Sequence, residues 1–194
     1  MQEILIATKN KHKVIEYQAM LSKFGYKVIS LLDINQEIEI EETGTTFKEN
    51  ASIKANYLAN LLNVSCIADD SGIEVRALNN EPGIYSARYL GEDTSYDIKN
   101  QSLIDRVKDC DDRYCRFVCV IALANVNQET IFFEGIIEGE VAYTIKGDNG
   151  FGYDPMFYLK KYQKTLAELD FETKNIISHR YSALNKLLGY LNEK

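Results

Sequence analysis

The chain has 194 residues, 45% of them hydrophobic and 26% charged, a balance that fits one globular domain, or one with a small lobe, able to bury a full core without disulfide or metal staples. Its formal net charge of -7 at pH 7 argues against broad binding to DNA, RNA or an anionic membrane surface, each of which needs a cationic face. A small anionic ligand stays admissible where a few cations gather at one spot, so the informative positions are lysines and arginines near glycines and carboxylates.

In chain order, Ile4 to Ala7 reads as a buried strand. Thr8-Lys9-Asn10 follows, then a helix with Val14, Tyr17, Leu21 and Phe24 on one face and Gly25 as its stop. Lys27 to Leu32 is a second strand, and a strand–helix–strand opening favours an α/β fold. Glu37 to Thr43 is an acidic loop or edge strand. Thr46-Phe47-Lys48-Glu49 is a capping box, opening a helix with Phe47, Ala51, Ala55, Leu58 and Leu62 at core spacing. Val64 to Ala68 is a buried strand running into Asp69-Asp70-Ser71-Gly72.

Asn79 to Ser95 is irregular, and Tyr96 to Lys108 reads as a helix. Arg113 to Ala124 and Glu129 to Phe133 read as strands joined by a turn at Asn125-Val126-Asn127-Gln128, with Ile136 to Tyr143 a third strand of an antiparallel section. Gly147 to Asp154 is a glycine-rich loop, and a last helix from Ser178 to Leu191 carries Ile177, Tyr181, Leu184, Leu188 and Leu191 on one face. Met1-Gln2-Glu3 shows no signal peptide, and the longest uncharged apolar stretch, Phe117 to Ala124, is too short to span a bilayer. The cytoplasm is therefore the expected location. Cys66, Cys110, Cys115 and Cys119 form no C-x-x-C pair, so a zinc site is not expected, and they read as small, reduced hydrophobes.

Five stretches could carry chemistry. Thr8-x-Asn10-x-x-Lys13 lies between strand and helix, where helix-start N–H groups attract anions; a plain polar cap is the alternative, and no Walker A loop occurs. Asp69 and Asp70 follow a buried strand. Strand ends of open α/β sheets are where ligands sit, adjacent carboxylates call for a cation or proton, and Mg²⁺ suits hard oxygens beside phosphates; an Asp-Ser-Gly turn is the alternative. Glu41-Glu42-Thr43-Gly44 is a solvated loop by itself and a second source of metal ligands beside the aspartates. Lys54 shares a helix stripe with Asn50 and points toward the strand ends or into water. In Gly147-Asp148-Asn149-Gly150-Phe151-Gly152-Tyr153-Asp154-Pro155 the glycines would let a planar base approach Phe151, or else Phe151 and Tyr153 anchor a tight loop in the core. Lys174 and Ser178-His179-Arg180 lie near the start of the last helix, an unfavourable place for basic groups unless an anion or carbonyl meets them.

In order, ILIATKNKHK, EETGTTFKENASIKA, ADDSGIEVRALNNEPGIYSARY, GFGYDPMF and ISHRYSAL resemble the inosine triphosphate pyrophosphatase family, the non-standard purine nucleoside triphosphate pyrophosphatases. The likeness runs from residue 4 to about residue 190. It implies an elongated α/β fold with a central mixed sheet flanked by helices and two lobes around a cleft. It implies a homodimer and Mg²⁺-dependent hydrolysis of ITP, dITP and XTP to monophosphate and pyrophosphate. By motif position it assigns Thr8, Asn10 and Lys13 to the phosphates, with Lys9, Lys11 and His12 in the same substrate-binding stretch. Asp70 becomes the catalytic acceptor and a metal ligand, with Glu42 its metal partner. Ser71, Phe151, Gly152, Tyr153, Asp154, Lys174, His179 and Arg180 become substrate contacts, with Lys54 near the triphosphate. Tyr181 stands where relatives often carry a small or basic residue.

Under that resemblance Asp70 orients or deprotonates a water while Lys13, Lys54 and Mg²⁺ stabilise departing pyrophosphate. Lys174, His179 or Arg180 would donate to a purine 6-carbonyl and leave adenine unpaired. A Maf-type pyrimidine triphosphate pyrophosphatase is one rival, opposed by GFGYDP and SHR. A nucleotide-binding sensor without turnover is another, opposed by carboxylates placed beside phosphates.

Overall fold

Short apolar runs and amphipathic segments alternate along the chain, and they fold as strands and helices in that order. A computed structural model describes residues 2–35, 37–125 and 129–193. The strands are β1 (Gln2–Ile6), β2 (Tyr26–Ser30), β3 (Cys66–Val75), β4 (Glu81–Pro82), β5 (Tyr114–Ala124), β6 (Ile131–Val141), β7 (Phe157–Leu159) and β8 (Lys164–Thr165). The helices are α1 (Lys11–Leu21), α2 (Phe47–Leu62), α3 (Tyr96–Arg106), α4 (Phe171–Ile177) and α5 (His179–Asn192). The sheet runs β2-β1-β3-β5-β6-β7-β8, with β4 paired to β3. β1 pairs in parallel with β2 and β3, whereas β3–β4, β6–β7 and β7–β8 are antiparallel, so this is the expected α/β fold with a mixed sheet.

The chain divides into two compact units, Met1–Asp70 with Cys119–Glu134 and Ala183–Lys194, and Ser71–Val118 with Gly135–Ser182. In the first, Leu5 and Ile6 of β1 register against Cys66 and Ile67 of β3. Val14, Tyr17, Met20 and Leu21 of α1 and Phe47, Ala51, Ala55 and Leu58 of α2 are buried. In the second, Ile73, Val75, Leu103, Cys115, Phe117, Val141, Tyr153, Met156 and Phe157 share one apolar core.

Several boundaries differ from the sequence reading. α1 stops at Leu21 and tightens into a 3₁₀ turn, Ser22–Phe24, closed by Gly25 at φ 81°, which carries Phe24 out of the core to 50% exposure. β3 does not end at Ala68: Asp69, Asp70, Ser71 and Gly72 lie inside it, so the turn reading of these residues is excluded, and the carboxylates sit within a strand rather than beyond its end. The second and third expected antiparallel strands are one, β6, in which Glu134 is exposed and Gly135 buried without interrupting the alternation. Of the expected turn at 125–128, Val126, Asn127 and Gln128 lie outside the described residues. α4 was not legible at all. Leu62, Ile177, Tyr181 and Leu191 are only half-buried, and the buried face of α5 is Ala183, Leu184, Leu187 and Leu188.

Candidate active site

In the first unit the site starts where β1 hands over to α1. Asn10 is the N-cap of α1, and its Oδ1 accepts from the N–H groups of His12 and Lys13 at 3.0 and 3.2 Å. Its own N–H donates to Thr8 Oγ1 at 3.1 Å. Two of the helix-start donors expected to attract an anion are therefore engaged by the cap, and the charge on offer is Lys13 itself. Lys13 Nζ pairs with Asp69 Oδ2 at 2.9 Å. Lys9, Lys11 and His12 are exposed.

Side chains alternate across a strand, so consecutive Asp69 and Asp70 meet different partners. Asp69 takes Lys13 from α1 and, at 3.7 Å, the Cys119 thiol of β5. Asp70 meets α2: its Oδ1 accepts from Lys54 Nζ at 3.2 Å and its Oδ2 from Asn50 Nδ2 at 3.3 Å. Lys54 Nζ also donates to Glu42 Oε1 at 2.7 Å, which settles where this lysine points. Burial pushes the Asp70 carboxyl above the usual carboxylate range, opposed by Lys54 and Lys13 and reinforced by Glu42 and Asp69. Burial also works against the charge on Lys54, but Asp70, Glu42 and Asp69 outweigh it and hold the ammonium above its ordinary pKa. The repulsion between neighbouring aspartates is thus relieved by separate lysines.

No group of three His, Cys, Asp or Glu among the described residues is arranged to hold a metal. Asp70 and Glu42 nevertheless converge on one ammonium, and their hard carboxylate oxygens are of the kind that Mg²⁺ takes.

The second unit holds another cluster. Arg180, 1% exposed, donates from Nη2 to Ser71 Oγ at 3.0 Å. His179 stacks on Phe117 with centroids 4.9 Å apart. Lys174 lies in the last turn of α4 rather than at the start of α5, so the dipole favours it there; its Nζ pairs with Asp154 Oδ2 at 2.6 Å and lies 4.6 Å from the Phe151 ring centroid. Asp154 Oδ2 also accepts from the Phe151 N–H at 2.8 Å. This close approach requires Gly150, at φ 77°, because a Cβ there would strike the Asp154 carboxylate and lie 3.2 Å from Lys174 Nζ. The three basic residues expected to await a ligand therefore already have protein partners. Of the two loop aromatics, Tyr153 is the anchor: it is buried and its hydroxyl donates to Ser86 O at 2.7 Å, while Phe151 is half-buried.

Sequence reasoning missed three contributors. Asn100, from α3, donates from Nδ2 to Gly152 O at 3.0 Å and steadies the loop; Tyr96 meets Tyr153 edge to face at 5.4 Å; and Asn50 bonds the Asp70 carboxylate. Only Asn50 left a trace, in its four-residue spacing from Lys54. Cys66, Cys115 and Cys119 are buried as read from the sequence, whereas Cys110 is half-buried, and burial pushes the Cys66 thiol up to about 12.

The chain matches the Ham1 family over residues 4–190. It is 46% identical to a dITP/XTP pyrophosphatase of Oceanobacillus iheyensis, with 98% of each chain covered. It is 48% identical to a dITP/XTP pyrophosphatase of Halalkalibacterium halodurans, covering 98% of this chain and 100% of that one. Among solved structures it superposes on the Ham1 protein of Staphylococcus aureus with a TM-score of 0.89, 45% identity and 100% of both chains covered.

Proposed function

This chain belongs to the Ham1 family, and on that premise we propose that it hydrolyses the non-standard purine nucleoside triphosphates ITP, dITP and XTP to monophosphate and pyrophosphate, clearing them from the nucleotide pool. Its relatives are dITP/XTP pyrophosphatases, which supports the substrate class. The observation that carries the chemistry is the buried Asp70 carboxylate, 3.2 Å from a Lys54 ammonium that also grips Glu42. Asp70 orients a water and takes its proton. Asp70 and Glu42 would hold Mg²⁺, which would supply charge neutralisation at the phosphate oxygens. Lys13 and Lys54 are held ready by carboxylates and stabilise the charge that develops on departing pyrophosphate. Thr8 and Asn10 belong to the phosphate-binding stretch. Phe151 stacks on the base, and Lys174, His179 and Arg180 supply the donors that read its 6-carbonyl.

The same family reading extends to a homodimer in the cytoplasm. Among the described residues no helix is long and apolar enough to cross a membrane.

Steady-state turnover of ITP, XTP, dITP, ATP and dTTP, with and without Mg²⁺, tests the proposal. The expected result is Mg²⁺-dependent hydrolysis of the first three at kcat/KM at least about 10-fold above ATP, since one unpaired buried donor costs roughly 1–3 kcal/mol. A preference for dTTP, or ITP binding without turnover, would overturn it.

A further inference from the structure

Asn50 is buried at 0% exposure, one turn before Lys54 on α2, and both ends of its amide are used. Its Oδ1 accepts from the Gly44 N–H at 2.8 Å, and its Nδ2 donates to Asp70 Oδ2 at 3.3 Å. This orientation alone satisfies both neighbours: a flipped amide would set NH₂ against the Gly44 N–H and a carbonyl oxygen against the carboxylate.

Gly44 lies two residues after Glu42, in a stretch from 37 to 45 with no helix or strand. The position of Glu42 therefore depends on a few specific ties, of which the bond from Lys54 to its carboxylate is one. The Gly44–Asn50 bond is another. A Cβ on Gly44 would lie 2.6 Å from Asn50 Oδ1, 2.7 Å from Glu49 Cβ and 2.9 Å from Asn50 N, so the loop rests directly on the first turn of α2 and only glycine fits.

We propose that Asn50 is a positioning residue whose side chain ties the Glu42 loop to the Asp70 carboxylate and so keeps the two acidic groups together for a divalent cation. The proposal rests on the magnesium reading given above. Asn50 acts through its neighbours: it directs Asp70 Oδ2 toward the amide, leaves Oδ1 toward Lys54, and fixes the loop backbone from which Glu42 reaches.

The probe is Mn²⁺, titrated by electron paramagnetic resonance on the full chain without nucleotide, alongside kcat and KM for ITP with Mg²⁺. Asn50→Leu, which keeps the branched shape and removes both bonds, is expected to weaken Mn²⁺ binding and lower kcat, each by about 10-fold or more, the range for groups that support metal ligands. KM for ITP stays within about 3-fold, because substrate contacts remain. Gly44→Ala, which displaces Asn50 from the loop side, is expected to weaken Mn²⁺ binding and lower kcat likewise, with KM again within about 3-fold. Asp70→Asn separates the two claims: normal turnover in that variant sinks the site reading itself. If Asp70→Asn is inactive while folded Asn50→Leu binds Mn²⁺ and turns over like the parent, only the Asn50 inference fails. A lower melting temperature with Mn²⁺ affinity and kcat unchanged makes Asn50 a fold latch and overturns it too. Should Asn50→Leu not fold, Gly44→Ala decides, and unchanged Mn²⁺ affinity and kcat there overturn the inference.

Discussion

At the scale of single residues, Asp69 and Asp70 share a peptide bond and divide the work, one gripping Lys13 and the other Lys54. Asp70→Asn is expected to lower kcat by at least about 10²-fold, the low end of general-base effects, while thermal melting reports a folded protein; near-normal turnover would remove Asp70 from the chemistry. Lys13 is not a solvated lysine, since its side chain is 14% exposed and that of Asp69 0%. Breaking such a pair by removing one partner costs about 3–5 kcal/mol. Lys13→Met should therefore lower both stability and activity, and adding Asp69→Asn should recover most of the unfolding free energy without recovering activity. Urea titrations and ITP kinetics on the two variants check this, and equal instability in both would place the cost elsewhere. Arg180→Met is expected to lower the ITP/ATP ratio of kcat/KM by about 10-fold through the loss of one donor; equal losses on both substrates would move base reading to the Phe151–Asp154 loop. The identities of these residues were legible because a capping box and paired acids after an apolar run are local signals. Which lysine serves which aspartate was not, because those contacts join distant positions and leave no period in the sequence.

At the scale of elements, α2 carries both Asn50 and Lys54, so its start matters to the site. Thr46 Oγ1 accepts from the Glu49 N–H at 3.1 Å, and Glu49 Oε2 accepts from the Thr46 N–H at 3.2 Å. Thr46→Ala is expected to cost about 1 kcal/mol of stability. The N–H and then the hydroxyl of Thr45, with smaller help from Thr46, hold the Glu49 carboxyl below its ordinary range. A depressed folded pKa means that the folded state binds fewer protons than the unfolded chain. The stabilisation is therefore present above the unfolded value and lost as pH falls through the folded one. Melts of Glu49→Gln should accordingly fall below the parent at neutral pH and converge with it in acid; a gap that persists in acid would contradict this origin. Helix α2 was legible because its cap and its 3.6-residue period agree. β3 was read too short because Asp-Asp-Ser-Gly has turn composition, and the cations that let the strand continue through it come from α1 and α2. α4 escaped because seven residues hold barely two turns of any period.

At the scale of the whole molecule, the negative net charge is carried by the surface. Among the described residues Lys54, Lys99, Arg113, Lys174 and Arg180 are buried, and Glu16, Asp69, Asp70 and Asp154 are buried as well, so the buried charges nearly cancel and the exposed balance stays acidic. That disfavours polyanions. The α/β class followed from the strand–helix–strand opening and the mixed sheet from the family resemblance, whereas the division into two units, which falls between Asp70 and Ser71 inside β3, has no compositional mark. The central claim is the bond that is cut, and ³¹P nuclear magnetic resonance of ITP incubated with the parent chain and Mg²⁺ tests it most directly. The account predicts loss of the triphosphate signals with inosine monophosphate and pyrophosphate appearing in equal amounts and no inosine diphosphate; orthophosphate appearing together with inosine diphosphate, or an unchanged spectrum, would contradict it.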